Sequence, residues 1–207
     1  MLENYMLNVA MKIKSSKANG PGNRAVIWVQ GCTIGCRGCY NSFTHPHEAK
    51  EMILSSDLAK WIASIDNIDG VTFSGGEPFE QAAAIDEVLS NLHKMGRNDL
   101  SVFIFTGYDY DYLMNSEEES IAKLLSKTDI LSAGVFDFTK KSDELLWRGS
   151  DNQQLIYLSD RYSSSDESFW LNHSPLEEIC FHDGNMIFTG FKGKSGDLYK
   201  SVLDCLN

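Results

Sequence analysis

Apolar residues recur along this chain at two spacings that take turns. "RAVIWVQ" (Arg24 to Gln30), "VTFSGGEP" (Val71 to Pro78), "SVFIFTG" (Ser101 to Gly107) and "DILSAGVF" (Asp129 to Phe136) are short runs rich in β-branched and aromatic residues, and they predict strands. Between them the spacing lengthens to three and four. In "SSDLAKWIASI" Leu58, Trp61, Ile62 and Ile65 share a face, with Ser55 or Ser56 available as N-cap. In "FEQAAAIDEVLSNLHKMG" Ile85, Val88, Leu89 and Leu92 do the same, and Gly96 supplies the stop. A third helix, acidic and amphipathic, is predicted from about Tyr110 to Ser126. Strands alternating with helices predict an α/β domain with a largely parallel sheet, and no internal repeat interrupts the alternation.

Beyond Lys140 the pattern weakens. The Ser/Asp-rich stretch from Ser159 to Pro175 reads as a flexible surface loop. "EEICFHDGNMIFTG" places Asp183-Gly184 between two apolar runs, the signal for a hairpin with a type I′ turn, and "DLYKSVLDCL" reads as a closing helix. One domain is expected, with a core over about residues 5–158 and an extension over about 159–207.

Composition narrows the function classes. With 207 residues and 43% apolar content the chain can bury a full core without disulfides. A net charge of −11 argues against a nucleic-acid or membrane-surface partner, because no basic field is available to release counterions; "FKGKSG" (Phe191 to Gly196) is too short to reverse that. The start "MLENYMLNVAMKIK" lacks the layout of a secretory signal, and no apolar run of about eighteen residues occurs, so a cytoplasmic location is expected. In a reducing compartment clustered thiols are ligands or reactive groups rather than bridges, and the odd total of five cysteines agrees.

Three of the five cysteines fall in "QGCTIGCRGCYN", the loop after the first predicted strand. Cys32, Cys36 and Cys39 can hold three irons of a cubane cluster and leave the fourth iron open. Gly31, Gly35 and Gly38 let the backbone curl around such a group and aim amides at its sulfurs. The competing reading is a structural zinc completed by His45 or His47. A second motif, "SGGEP", ends a strand with bare backbone and the carboxylate of Glu77, at the sheet edge where α/β proteins bind ligands. Alone it is equally an ordinary strand-to-helix turn with Pro78 at the first helical position. Cys180 and Cys205 read as buried small hydrophobes, His93 and Trp61 carry no assigned chemistry, and "SEEES" (Ser116 to Ser120) reads as a solvated face.

Five stretches, "NGPGNRAVIWVQGC", "CTIGCRGCYN", "TFSGGEPF", "FTGYDYDYL" and "WRGSDNQQLI", are collinear with those of a known family. The chain resembles the radical S-adenosylmethionine (SAM) enzymes, and within them the small activating enzymes of glycyl-radical proteins, most of all those serving anaerobic ribonucleotide reductases. The resemblance implies an incomplete, parallel β/α barrel, open at one side, with the hairpin and closing helix as a C-terminal extension. It implies a [4Fe-4S] cluster on Cys32, Cys36 and Cys39, with the amino and carboxylate groups of SAM on the fourth iron. Tyr40 and Gly38 correspond to the positions beside the adenine, and Gly75, Gly76 and Glu77 to the edge receiving SAM's amino group.

In that family one electron cleaves the sulfonium to methionine and a 5′-deoxyadenosyl radical, which abstracts hydrogen from a glycine of a partner protein. A reduced flavodoxin or ferredoxin is the implied electron donor. "GPGNR" (Gly20 to Arg24) and "RGSDNQ" (Arg148 to Gln153) are then candidate contacts near the partner, the alternative for Arg148 and Asn152 being a plain surface turn. After Asp129 the family pattern is Asp-x-Leu-Val-Asp-Gly-Pro-Phe, whereas here Ala133 replaces the second Asp and Val135 the Pro. These departures keep open a radical SAM enzyme acting on a peptide or small molecule.

Overall fold

The computed structural model describes residues 5–142, 144–175, 177–182 and 185–191. The strands are β1 (Met6–Ser16), β2 (Arg24–Val29), β3 (Glu51–Leu54), β4 (Gly70–Gly75), β5 (Ser101–Thr106), β6 (Ile130–Ala133), β7 (Gln154–Tyr157), β8 (Glu177–His182) and β9 (Asn185–Gly190). The helices are α1 (Ser55–Ala63), α2 (Ala82–Lys94), α3 (Tyr110–Met114), α4 (Glu119–Ser126) and α5 (Glu167–His173). Among the described residues no helix is long and apolar enough to cross a membrane.

The four strands predicted from apolar runs, β2, β4, β5 and β6, are parallel neighbours at the centre of a seven-stranded sheet ordered β3-β1-β2-β4-β5-β6-β7. Every residue of β2 is buried, which is why its sequence shows no alternation: it is covered on both faces. β1, β3 and β7 add antiparallel pairs at the flanks. The sheet is therefore mixed and open, with β3 and β7 as edges: the α/β fold with a mostly parallel centre is as expected, and of the expected incomplete barrel the sheet shows no closure.

The two faces differ in chemistry. Ala25, Ile27 and Val29 of β2, Val71 and Phe73 of β4, and Ile104 and Leu131 meet α1, α2 and α4 in one aliphatic core. All four stripe residues of α2 are buried there, as the spacing predicted. On the other face, Val26 and Trp28 pack with Ile13 against Cys180 and Ile187 of the β8–β9 hairpin. Phe103 and Ile130 pack against Leu146, Trp147 and Trp170.

Several expectations need correction. β1 escaped the pattern because irregular pairing between Val9 and Met11 and again between Ile13 and Ser16 breaks its alternation. The helix expected over Tyr110 to Ser126 is two, α3 and α4, parted at the polar residues 115–118. Ser55 does not cap α1 but starts it, and its hydroxyl donates to the Ala84 carbonyl at 2.9 Å. The expected flexible loop from Ser159 to Pro175 carries α5, anchored by buried Trp170 against Trp147 and Tyr162. The hairpin pairs from Glu177↔Gly190 to His182↔Asn185. Its Asp183-Gly184 tip, Cys205, "FKGKSG" after Phe191 and the closing helix lie outside the described residues.

Arg24 is also relocated. It is fully buried at the start of β2, on the hairpin side of the sheet, so it is not a surface contact for a partner. Its guanidinium donates to Thr72 Oγ1 (2.7 Å), Ser101 Oγ (2.8 Å) and the carbonyls of Pro21 (3.0 Å), Val71 (2.8 Å) and Ser101 (2.9 Å). Burial lowers its pKa to about 10, which still leaves it charged at neutral pH. Removing it strands these buried acceptors. Arg24→Ala is expected to lower unfolding stability by ~3 kcal/mol or more, read as a drop in the denaturant midpoint; a loss below ~1 kcal/mol would show that the network contributes little.

Candidate functional site

Everything at the site hangs on the C-terminal ends of the parallel strands. β2 ends at Val29, and Gly31, at φ +103°, turns the chain into the cysteine loop. The foot of that loop is closed by backbone bonds: Gly31 N–H donates to Thr44 O at 2.8 Å and Cys32 N–H to His45 O at 3.1 Å. Thr44 sits in a short 3-10 turn, Ser42–Thr44, which returns the chain beneath the loop. Gly35 (φ +61°) and Gly38 (φ +75°) take left-handed conformations inside it, and a Cβ at Gly38 would lie 2.8 Å from the Phe138 ring.

The neighbouring edge is built from β4. Gly76 N–H donates to Val29 O and Glu77 N–H to Gly31 O, both at 2.8 Å. A Cβ on Gly76 would stand 2.1 Å from that same Gly31 oxygen, and one on Gly75, at φ +96°, 2.8 Å from Trp28 Cα. The two glycines are therefore required by close approach of backbone to backbone, and the cysteine loop and the Gly-Gly-Glu edge form one corner.

Glu77 is 1% exposed. Its carboxylate accepts from Phe79 N–H (2.9 Å), Thr106 Oγ1 (2.8 Å) and Gly107 N–H (2.8 Å), tying the end of β4 to the end of β5. Burial pushes its pKa up to about 7, against the pull of those three donors. Burial likewise raises the thiols of Cys32 and Cys39, opposed by the amides of Gly35 and Ile34 on the first and of Asn41 on the second. The Asn41 amide lies 3.4 Å from Cys39 Sγ.

Cys32, Cys36, Cys39, Tyr40, Gly75, Gly76 and Glu77 all line one cavity of ≈ 420 Å³. Gly38 does not line it and supports the loop from behind, on Phe138. Tyr40 stands edge-on to Phe136 (5.5 Å) and Phe191 (5.3 Å), and Trp28, Phe105 and Phe188 complete an aromatic wall. The donor set suits a cluster rather than a single ion. Three thiols from one loop line the cavity, and a cubane takes one thiolate per iron. Of the two histidines considered for zinc, His45 lines the cysteine cavity, whereas His47 lines a different one with Gln30, Glu80 and Gln81, its Nε2 3.7 Å from Glu80.

Three supports were not anticipated. Glu80 accepts from the Thr33 amide (2.8 Å) and hydroxyl, pinning the cysteine loop to the turn after β4. Gln81 accepts from Asn8 N–H (2.8 Å) and donates to Gln30 O (3.0 Å), joining β1 to β2. Gln153 accepts from Gly149 N–H (2.7 Å) and donates to Gly134 O (2.8 Å). The only sequence signal for the first two was their adjacency to "GGEP". In "RGSDNQ", Arg148 pairs with Glu167 (3.4 Å) and Asn152 donates to Val135 O (2.8 Å), so the stretch is a held turn whose Gly149 and Gln153 reach the cavity.

A raised carboxylate pKa makes the empty protein sensitive to pH. Glu77 favours folding fully below its unfolded value near 4.5, and that contribution is lost as pH rises through about 7. Unfolding free energy of the metal-free protein is therefore expected to fall by up to ~3 kcal/mol across that window, and Glu77→Gln should flatten the difference. Equal slopes for the two proteins in denaturation at several pH values would overturn the assignment.

Residues 18–156 match the family described as a 4Fe-4S single cluster domain. An anaerobic ribonucleoside-triphosphate reductase-activating protein of Pasteurella multocida is 30% identical over 75% of this chain and 100% of its own length. The protein of that name from Salmonella typhi is 29% identical over 68% of this chain and 92% of its own. Among solved structures, QueE from Escherichia coli aligns at 22% identity over 51% of this chain and 53% of its own, with a TM-score of 0.35, too distant a likeness to bear on the fold. The family match spans the cysteine loop, the Gly-Gly-Glu edge and every strand of the parallel centre, and on that basis the chain belongs to the 4Fe-4S single cluster family and to the anaerobic ribonucleoside-triphosphate reductase-activating proteins.

Proposed function

We propose that the chain is a radical SAM activating enzyme that generates a glycyl radical on an anaerobic ribonucleotide reductase. The observation that carries this reading is the common cavity: three thiols from one loop and a buried carboxylate edge from the next strand face the same ≈ 420 Å³ space. When bound, a [4Fe-4S] cluster and SAM supply one-electron cleavage of the sulfonium and a 5′-deoxyadenosyl radical that takes a hydrogen atom from a glycine.

Cys32, Cys36 and Cys39 would hold three irons, leaving the fourth to SAM. Gly75 and Gly76 would present bare backbone to the methionine moiety, and Glu77 its carboxylate to the ammonium group. Three donors already occupy Glu77, and a carboxylate has about four acceptor positions, so one is left. An ammonium placed there favours the ionised form of a group whose pKa is otherwise about 7. Tyr40 would lie beside the adenine, with Gly38 fixing the turn that carries it. The aromatic wall would make the reacting space largely apolar. Of the two departures from the family pattern, Ala133 packs into the helix-side core and Val135 is 45% exposed; neither lines the cavity. A low-potential flavodoxin or ferredoxin is the reductant class this chemistry needs.

Anaerobic reconstitution with iron and sulfide should give a brown protein that, once reduced, converts SAM to 5′-deoxyadenosine and raises a glycyl-radical EPR doublet on a co-incubated anaerobic reductase. Cys36→Ala is expected to lose the cluster absorbance and at least ~100-fold in 5′-deoxyadenosine formation, with the circular dichroism of the metal-free protein unchanged. A reconstituted wild-type chain that binds neither iron nor SAM would sink the reading.

A further inference from the structure

The β8–β9 hairpin lies beyond the matched residues 18–156, yet it builds part of the site. Glu177, Phe188, Thr189 and Gly190, with the following Phe191, line the same cavity as the cysteines. The hairpin crosses the polar and aromatic face of the sheet over β1 and β2, where among the described residues no helix packs. It is latched there. Glu178 accepts from Ser16 Oγ (2.7 Å), Lys17 N–H (2.8 Å) and Ala18 N–H (3.4 Å), and Asn19 Nδ2 donates to Thr189 Oγ1 (2.9 Å). Ile187 and Cys180 pack on Ile13, Val26 and Trp28 beneath. At its end Phe191 stands edge-on to Tyr40, the residue after Cys39.

We infer that this hairpin is a substrate-selecting cap: it closes one side of the cavity, so that the reacting position is reached only by a narrow, glycine-centred loop of the partner. The size of the cavity favours this. At ≈ 420 Å³ it is near the lower end for small-molecule sites, and a ligand as large as SAM takes most of it. With a cluster and SAM both in place little of that volume is left, which favours a partner segment without side-chain bulk. Without the cap, Trp28, Ser74 and Phe105 would form an open trough along which broader substrates, or water and reductant, could approach.

The selecting role rests on the proposed function, but the cap itself does not, and the two are tested apart. In the full-length, metal-free protein, Ser74→Cys places a thiol on the cavity floor, where Ser74 is 8% exposed. Its labelling by a bulky maleimide, resolved from the native cysteines by peptide mass spectrometry, is expected to accelerate at least ~10-fold when Glu178→Ala releases the latch. Thr189→Val, on the other strand, serves the same purpose if Glu178→Ala does not fold. Equal labelling rates in latched and released backgrounds overturn the cap. In reconstituted protein, release should raise 5′-deoxyadenosine formation without the partner at least ~5-fold and lower the number of glycyl radicals per 5′-deoxyadenosine when the partner is present. Faster labelling with unchanged coupling overturns the selecting role, whereas labelling as expected in a protein that cleaves no SAM keeps the cap and overturns the proposed function instead.

Discussion

The site depends on one close approach, that of the Gly76 backbone to the carbonyl of Gly31. Parallel strands leave their last peptide groups without ladder partners, and here those of β2 and β4 satisfy one another: Gly76 N–H with Val29 O, Glu77 N–H with Gly31 O. The contact leaves no room for a Cβ, since one on Gly76 would sit 2.1 Å from the oxygen it must face. Two loops that are 45 residues apart in sequence, measured from Gly31 to Gly76, thereby become one rigid corner. The thiols and the carboxylate edge keep a fixed relation because neither loop can shift without breaking the other's hydrogen bonds.

Glu77 extends the same logic to β5. A buried carboxylate is costly unless its oxygens are occupied, and Phe79, Thr106 and Gly107 occupy them. The cost is not fully offset, which is why its pKa remains near 7. A group in that condition is stabilised by any cation placed beside it, so the strain of burying Glu77 in the empty protein is what binding an ammonium group would relieve. Arg24 at the opposite end of β2 shows the contrasting solution: a charge buried among five acceptors, saturated, and structural.

How much of this was legible in the sequence follows from how local each cause is. The central strands and α2 were readable because burial on one or two faces writes a period into consecutive residues. The cysteine spacing and "GGEP" were readable because each loop carries its own chemistry. What could not be read depends on distant partners. Arg24 looked like a surface residue after a glycine-rich turn, and only Thr72 and Ser101, on neighbouring strands, make it an interior one. α5 hid in polar composition because a single Trp170 anchors it. Glu80 and Gln81 looked like ordinary residues of a helix start, and their partners Thr33, Asn8 and Gln30 lie in other elements. The antiparallel flanks β1, β3 and β7 were out of reach because edge pairing depends on partners that no single strand records.

The division of labour between the two faces of the sheet explains why such a site is tolerated at all. On one side mainly aliphatic residues of five strands meet the four helices α1 to α4 in the larger core. The other side carries Arg24, Thr72, Ser74, Ser132 and the aromatic wall, a surface too polar to pack as a second aliphatic layer. Among the described residues the short helix α5 packs there through Trp170, beside Trp147. A two-stranded hairpin, latched at Glu178 and Thr189 and packed over β1 and β2, covers part of that face and borders the cavity that Cys32, Cys36 and Cys39 line. The larger aliphatic core thus lies on the face that does no chemistry, while the other face holds smaller clusters around Trp28 and Trp147 and keeps a hollow beside a reactive loop.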